Sequence, residues 1–376
     1  MEDIIASIAE TLSDYREHEN NDTVRITTEV IRTWIDQFDA GLRLTILAEI
    51  DEIFKNRYCP KEGGREFLKA LLEVLARDYK ATSIKDFLNN VQFLSLQRPE
   101  KSQTAMLAFL NEILNDEYGM SLDDCGSESR KYSVYIDDVL CSGLTLISNL
   151  QEWATAEFAA DKTNKTAVEE GATKLIVCYI FIHEKNYHKK IVEARYKISK
   201  SFSDKIKVYR MTEVENVVSE GKKLDFVIPV DAEQPEEVAA YRAEIIEVVD
   251  GHTAQYNAIS PEEFFRPVNL PKNESLFTSA ENRKTVEDAF LLKGIEILSK
   301  SNVNNKNMRA LGYSLPSVKN FGFGALCFTW RNVPNNTPLV FWYAGGGFTP
   351  LFKVYRRGSS IFNFTFGDID DFDDLL

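Results

Sequence analysis

The chain is poor in the residues that metal and thiol chemistry requires. It has only four histidines, His18, His183, His188 and His252, and the two closest are five positions apart, so the His-Glu-x-x-His zinc arrangement is absent. The five cysteines, Cys59, Cys125, Cys141, Cys178 and Cys327, are odd in number, scattered, and contain no Cys-x-x-Cys pair. This excludes a disulfide framework and a cysteine zinc site, and fits reduced thiols in the cytoplasm. No Gly-x-x-x-x-Gly-Lys-Ser/Thr run occurs, which removes the P-loop nucleotidases. Long apolar runs are missing too. The longest, about Leu175 to Ile182, falls far short of the roughly 20 residues of a membrane helix. The acidic start, Met1-Glu2-Asp3, lacks the basic-then-apolar order of a signal peptide, so a cytoplasmic protein with no membrane partner is expected. Basic excess is absent as well: 44 Lys and Arg stand against 58 Asp and Glu, a net charge of −14. A surface so acidic repels phosphate backbones, which disfavours direct nucleic-acid binding.

What is present describes a globular protein. With 376 residues, 44% of them hydrophobic, the chain can bury a sizeable core spread over two or three structural units. From Ile4 to about Asn90 the apolar residues recur at helical spacing. Asp22 is the expected cap of a helix carrying Val24, Ile31, Trp34 and Phe38. A second helix is expected over Ala40–Arg57, a break at Gly63-Gly64, a third helix through Phe67 and Leu75, and a short fourth capped by Thr82 or Ser83. The pattern then changes to alternation. Strands are expected at Val91–Leu96, Tyr132–Ile136, Lys174–Ile182 and Ile206–Tyr209, with helices at Thr104–Tyr118, Leu144–Phe158 and Tyr187–Ser199 between them. Lys174–Ile182 is apolar throughout, as in a strand buried on both faces of a parallel sheet.

The fold class is therefore α/β: an open, mainly parallel sheet flanked by helices, with a helical N-terminal region and a mixed α+β C-terminal region. The expected units are residues 1–90, the core 91–215, an accessory region 216–365 packed on the core, and an acidic tail 366–376. In the accessory region, Val238–Val249 and Thr285–Leu298 read as helices. Ala325–Trp330 and Leu339–Tyr343 read as strands around an Asn- and Pro-rich turn. Arg331 and Asn332 in that turn, beside Trp330 and Trp342, are candidates for substrate recognition, with the aromatics for stacking and the amides for edge readout. Lys353, Arg356 and Arg357 form a small basic cluster before the tail.

The segment Ser133–Leu146, SVYIDDVLCSGLTL, carries the chemistry. Ligands of open α/β sheets bind beyond the carboxyl ends of strands. Here an apolar strand runs into two adjacent carboxylates, Asp137 and Asp138, and a short turn leads through Cys141, Ser142, Gly143, Leu144 and Thr145 into a helix. Gly143 lets backbone approach a ligand closely, and the amides opening the helix form an anion site. The carboxylates are acceptors for vicinal sugar hydroxyls.

This segment resembles the phosphoribosyl-pyrophosphate (PRPP) motif of type I phosphoribosyltransferases. The resemblance implies that Asp137 and Asp138 face the ribose as catalytic residues and that Cys141 to Thr145 wrap its 5′-phosphate. Because a thiol is a weak donor, phosphate contacts at Cys141 would rest on backbone amides. Arg98, Lys101 and Ser102 lie where the family carries its pyrophosphate loop, and charge-assisted bonds there would hold a diphosphate. Mg²⁺ is implied through PRPP, with no metal ligand assigned to the protein. The layout as a whole is similar to the phosphoribosyltransferase-like proteins of bacterial conflict systems (PRTase-CE type, including retron-associated effectors). The residues that carry this are Trp34-Ile35-Asp36-Gln37-Phe38, Phe93 to Gln97, Lys101-Ser102-Gln103, Asp123 to Gly126, Tyr135 to Asp138, Glu281-Asn282-Arg283 and Arg331 to Leu339. That likeness implies a role in antiphage defence beside a protein partner such as a reverse transcriptase–nucleic acid complex. Two functions stay open: a phosphoribosyltransferase-type enzyme acting on PRPP or a nucleotide, and a non-catalytic nucleotide sensor or partner-controlled toxin on the same scaffold.

Overall fold

The computed structural model of the chain describes residues 1–17, 24–99, 101–219, 221–254, 260–303 and 305–354. His18, the expected cap Asp22, Arg356, Arg357 and the acidic tail lie outside the described residues.

Helices build the first quarter: α1 (Glu2–Thr11), α2 (Thr28–Ile35), α3 (Arg43–Arg57), α4 (Lys61–Asp78) and α5 (Ile84–Asn89), with a two-residue strand β1 (Tyr58–Cys59) between α3 and α4. Side-chain caps fix two of the starts. Thr27 Oγ1 accepts from the Val30 amide at 3.3 Å, and Ser83 Oγ accepts from the Asp86 amide at 3.1 Å, satisfying amides that the first turn leaves without partners. The expected break at Gly63-Gly64 does not occur, since both glycines lie in the first turn of α4. The reason is packing: a Cβ on Gly64 would come within 2.3 Å of the Trp330 ring. Gly64→Ala should therefore destabilise the protein by about 1–3 kcal/mol despite its better helix propensity, because overpacking outweighs propensity. Urea unfolding checks this, and a stabilised variant would contradict the packing.

The central sheet holds four strands in the order β2 (Val91–Phe93), β3 (Tyr132–Leu140), β6 (Lys174–His183) and β7 (Lys207–Val214), all parallel. Between them run α6 (Ser102–Tyr118), α7 (Leu144–Thr155), α8 (Asn164–Glu170), α9 (Glu184–Lys197) and α10 (Lys200–Ser203). A small hairpin, β4 (Glu157–Ala159) with β5 (Lys162–Thr163), precedes α8. The alternation of strand side chains divides the core in two. Val134, Ile136, Ile176 and Cys178 face a large cluster shared with α3, α4 and α6. Tyr135, Leu175, Val177 and Tyr179 face a smaller one built with Leu146, Leu150 and Trp153 of α7 and with Phe202.

The C-terminal part contributes α11 (Glu236–Ala254), α12 (Ala280–Ser299), the short strands β8 (Met308–Arg309), β9 (Gly312–Tyr313) and β10 (Phe328–Thr329), and α13 (Leu339–Trp342). It joins the N-terminal helices directly. Strand β10 pairs in parallel with β1, the Trp34 indole donates to the Val340 carbonyl at 2.7 Å, and Phe54 packs edge-on against Phe328, Phe341 and Phe352. Residues 339–343, expected as a strand, form the single turn of α13 after Pro338. Leu339, Val340 and Phe341 are all fully buried, and an apolar run this short has no period that separates helix from strand. No helix among the described residues is long and apolar enough to cross a membrane.

Candidate functional site

Strand β3 does not stop at Ile136. It continues through both acids to Leu140, because β6 pairs alongside it as far as Leu140 opposite Ile182. Asp137 and Asp138 are therefore strand residues, 5% and 3% exposed. Ion-paired or not, buried carboxylates need donors, and these have them. Asp137 Oδ1 accepts from Ser102 Oγ at 2.6 Å and from the Asp138 amide at 2.9 Å. Its Oδ2 accepts from Gln97 Nε2 at 2.7 Å and Tyr135 OH at 3.3 Å. Asp138 Oδ1 accepts from the Val139 amide at 2.7 Å, and Oδ2 from Asn332 Nδ2 at 3.0 Å. Burial, then the charge of Asp138, pushes the Asp137 carboxyl up to about 7. Burial likewise raises Asp138, while Asn332, the Val139 amide and the Arg331 charge oppose the rise.

Behind the acids, the turn is set by Gly143, whose φ of +74° is the left-handed conformation that suits a residue without Cβ. It is the N-cap of α7, and Ser142 Oγ accepts from the Leu144 amide at 3.4 Å. A Cβ on Gly143 would meet Lys190 Cγ at 2.7 Å, so the aliphatic stem of Lys190 lies across the turn. Cys141 is buried, and burial raises its thiol well above the ordinary value, so it is inert rather than nucleophilic. Leu144 is half-buried and Thr145 exposed.

The structure thus brings together Asp137, Asp138, Ser102, Arg331 and Asn332, with Cys141 to Thr145 on the connection that follows. Arg98 and Lys101 are exposed in the connection that leads into α6. Gln103 shapes that connection by accepting from the amides of Leu96 and Gln97 at 2.7 and 3.0 Å. Trp330, expected as a stacking aromatic, is 3% exposed and packs against Phe109, so it belongs to the core. Sequence reasoning gave no site role to Gln97, Tyr135 or Lys190. Tyr135 shares a strand face with Asp137 through the two-residue repeat, which was a usable signal. Gln97 stands in the segment that carries the family likeness, but nothing local aims it at Asp137, and Lys190 has no such signal.

Strand, acid pair, glycine turn and helix occur in the order that the phosphoribosyl motif requires. The family model PRTase-CE matches residues 31–354, nearly the whole chain. The chain belongs to the PRTase-CE family. The resemblance read from the motif residues is borne out at that level, and the four-stranded parallel sheet is the phosphoribosyltransferase-like core of this PRTase-CE protein. No curated protein and no solved structure matches the chain.

Proposed function

We propose that the acid pair and its turn bind a ribosyl phosphate, PRPP or a nucleotide, and that the protein transfers or cleaves at C1 of the ribose. The observation that supports this most is the pair itself. Two adjacent, solvent-shielded carboxylates have all four oxygens on N–H or O–H donors, the chemistry that vicinal ribose hydroxyls also supply. In the reaction the bond from C1 to the leaving oxygen breaks, and the diphosphate departs with its electron pair. The acceptor's lone pair then closes on C1 and its proton passes to solvent. The two carboxylates orient the sugar, and their negative charge stabilises the oxocarbenium-like transition state. Arg98 and Lys101, exposed on their turn, would meet the departing diphosphate. The acid oxygens, already occupied by hydrogen-bond donors, suit hydroxyls better than a cation. Mg²⁺ would therefore come on the diphosphate's own oxygens and neutralise its charge. The biological setting we propose is an effector of bacterial antiphage defence working with a protein partner such as a reverse transcriptase–nucleic acid complex.

One observation favours a second reading, a nucleotide sensor or a partner-controlled toxin. Gln97, Ser102 and Asn332 fill the positions that a ribose would take, so a ligand must displace them. Binding of labelled PRPP with Mg²⁺ separates the possibilities. Wild type should bind, and Asp138→Asn should lose at least about tenfold in affinity. Asn332→Ala should bind about 10- to 100-fold more tightly, since a hydrogen bond to a charged group is worth about 1.5–3 kcal/mol. If Asp138→Asn binds and turns over as wild type does, the ribosyl reading fails. Tight binding without turnover in both wild type and Asn332→Ala would select the sensor.

A further inference from the structure

Beyond the carboxyl ends of β3 and β6 lies a second hollow of about 200 Å³, and none of Asp137, Asp138, Arg98 or Lys101 lines it. Helix α9 forms one wall and supplies Lys185, Lys189 and Lys190. The segments 226–229 and 311–323 form the other, with the aromatic rings of Phe226, Phe321 and Phe323. Ser142 is the one residue that it shares with the turn behind the acids.

Three observations give this hollow an anionic, aromatic ligand. First, it gathers three lysines against two carboxylates, Glu193 and Glu263, a local excess of positive charge in a chain whose net charge is −14. Lys185 is bonded to Glu263 at 3.2 Å and Lys190 to Glu193 at 2.5 Å, but Lys189 makes no ion pair among the described residues. Burial, and then the neighbouring Lys185 charge, lowers the Lys189 ammonium, a repulsion that an anion would relieve. Second, Arg309 lies 1% exposed against the 315–320 turn of the same wall. Its guanidinium meets only the carbonyls of Leu315, Val318 and Asn320 and the Asn320 side-chain oxygen at 2.9 Å. Among the described residues no carboxylate balances it and its Nε has no acceptor. A buried cation without a counter-charge is costly, and a bound anion nearby would offset part of that cost. Third, the facing surface is aromatic and held in place: Phe226 and Phe323 are half-buried, Phe323 sits edge-on to the buried His183 ring at 4.9 Å, and the buried Phe321, packed on Phe264 and Phe265, backs them. Such faces stack bases of any identity. The hollow has room to enclose one ring, since an apolar cavity of about 150 Å³ holds benzene, and the rest of a larger ligand would lie in its mouth.

We propose that this hollow is a binding site for a nucleoside monophosphate, separate from the acid pair. The phosphoryl group lies against Lys189 and Lys190, and the base against Phe323 and Phe226. The site does not depend on the ribosyl reading of Asp137 and Asp138.

Calorimetric titration of the full chain with AMP, GMP, CMP and UMP tests it, with inorganic phosphate and the free nucleosides as separate arms. At least one monophosphate should bind, with phosphate alone and nucleoside alone each at least about tenfold weaker. Lys189→Glu and Phe323→Ala should each weaken binding at least about tenfold, Lys189→Arg should retain it, and Asp138→Asn should leave it unchanged. Binding that survives Lys189→Glu and Phe323→Ala but is lost in Asp138→Asn would move the nucleotide to the acid pair and overturn the proposal. So would binding by none of the four monophosphates, or phosphate binding as tightly as the nucleotide.

Discussion

Asp137→Asn should be more stable than wild type at pH 8, by on the order of 3 kcal/mol, and should lose the ribosyl ligand. The argument begins with burial. Asp137 is 5% exposed beside a second carboxylate, and its carboxyl is pushed from the ordinary 3.8 up to about 7. Between those two values the folded chain holds a proton that the unfolded chain has already released. Folding stability contributed by this group is therefore fully present below about pH 3.8 and is lost as pH rises through about 7. An amide has no proton to lose, so the variant's gain should vanish near pH 4 and be largest at pH 8. The proton belongs to the acid pair rather than to one oxygen, so removing one charge should also ease ionisation of Asp138. The hydrogen bonds allow the exchange. Ser102 and the Asp138 amide can still donate to the remaining oxygen, and the new amide group can face Tyr135 OH and a flipped Gln97. Urea unfolding from about pH 4 to about pH 8 checks the stability, and labelled PRPP checks the ligand. A site that costs the fold stability in exchange for ligand chemistry is the behaviour expected of a functional pair. If instead the variant is less stable at every pH, the two carboxylates are structural acceptors and nothing more.

Much of the frame was legible because it is written in local patterns. The continuous apolar run of β6 and the helical stripes of α3 and α6 each carry their own signal, and Ser83 announces the start of α5. The end of β3 was misread for a physical reason. Two adjacent acids look like the edge of a strand, yet β6 pairs alongside them and satisfies their backbone, so the strand runs on to Leu140. Gly63-Gly64 looked like a break because glycine weakens helices, whereas the close approach of Trp330 is what calls for it. What surrounds the acids was out of reach of any local rule. Gln97 is 40 positions from Asp137 and Asn332 is 194 from Asp138, and only the folded chain joins them. The same holds for the lysine hollow, where α9 meets residues 226–229 and, more than a hundred positions later, 311–323.

Glu287→Gln should destabilise the protein by about 3–5 kcal/mol, the cost of breaking a buried ion network by removing one partner. Glu287 is fully buried on α12 between two guanidiniums. Its Oε2 accepts from Arg266 Nη2 at 2.8 Å, and its Oε1 accepts from Arg283 Nη1 at 3.1 Å and from the Ile228 amide at 3.2 Å. Arg283, itself fully buried, continues the network to Glu274 at 2.5 Å and to the Leu224 carbonyl at 2.7 Å, with its guanidinium over the Phe277 ring. These bonds hold residues 224–228, which form no ladder with the central sheet and whose Phe226, Val227 and Ile228 line the second hollow. Desolvation raises the Glu287 carboxyl, and the charges of Arg283 and Arg266 oppose that rise. Glutamine would leave Arg266 with a backbone carbonyl as its remaining partner and no counter-charge. Replacing all three groups with apolar residues of similar volume, Arg266→Met, Arg283→Met and Glu287→Leu together, should be far less costly than the single change, because no charge is then stranded. Urea midpoints of the single and triple variants decide the matter. A single variant within about 1 kcal/mol of wild type would show that the network is solvated and adds no rigidity to the hollow's wall.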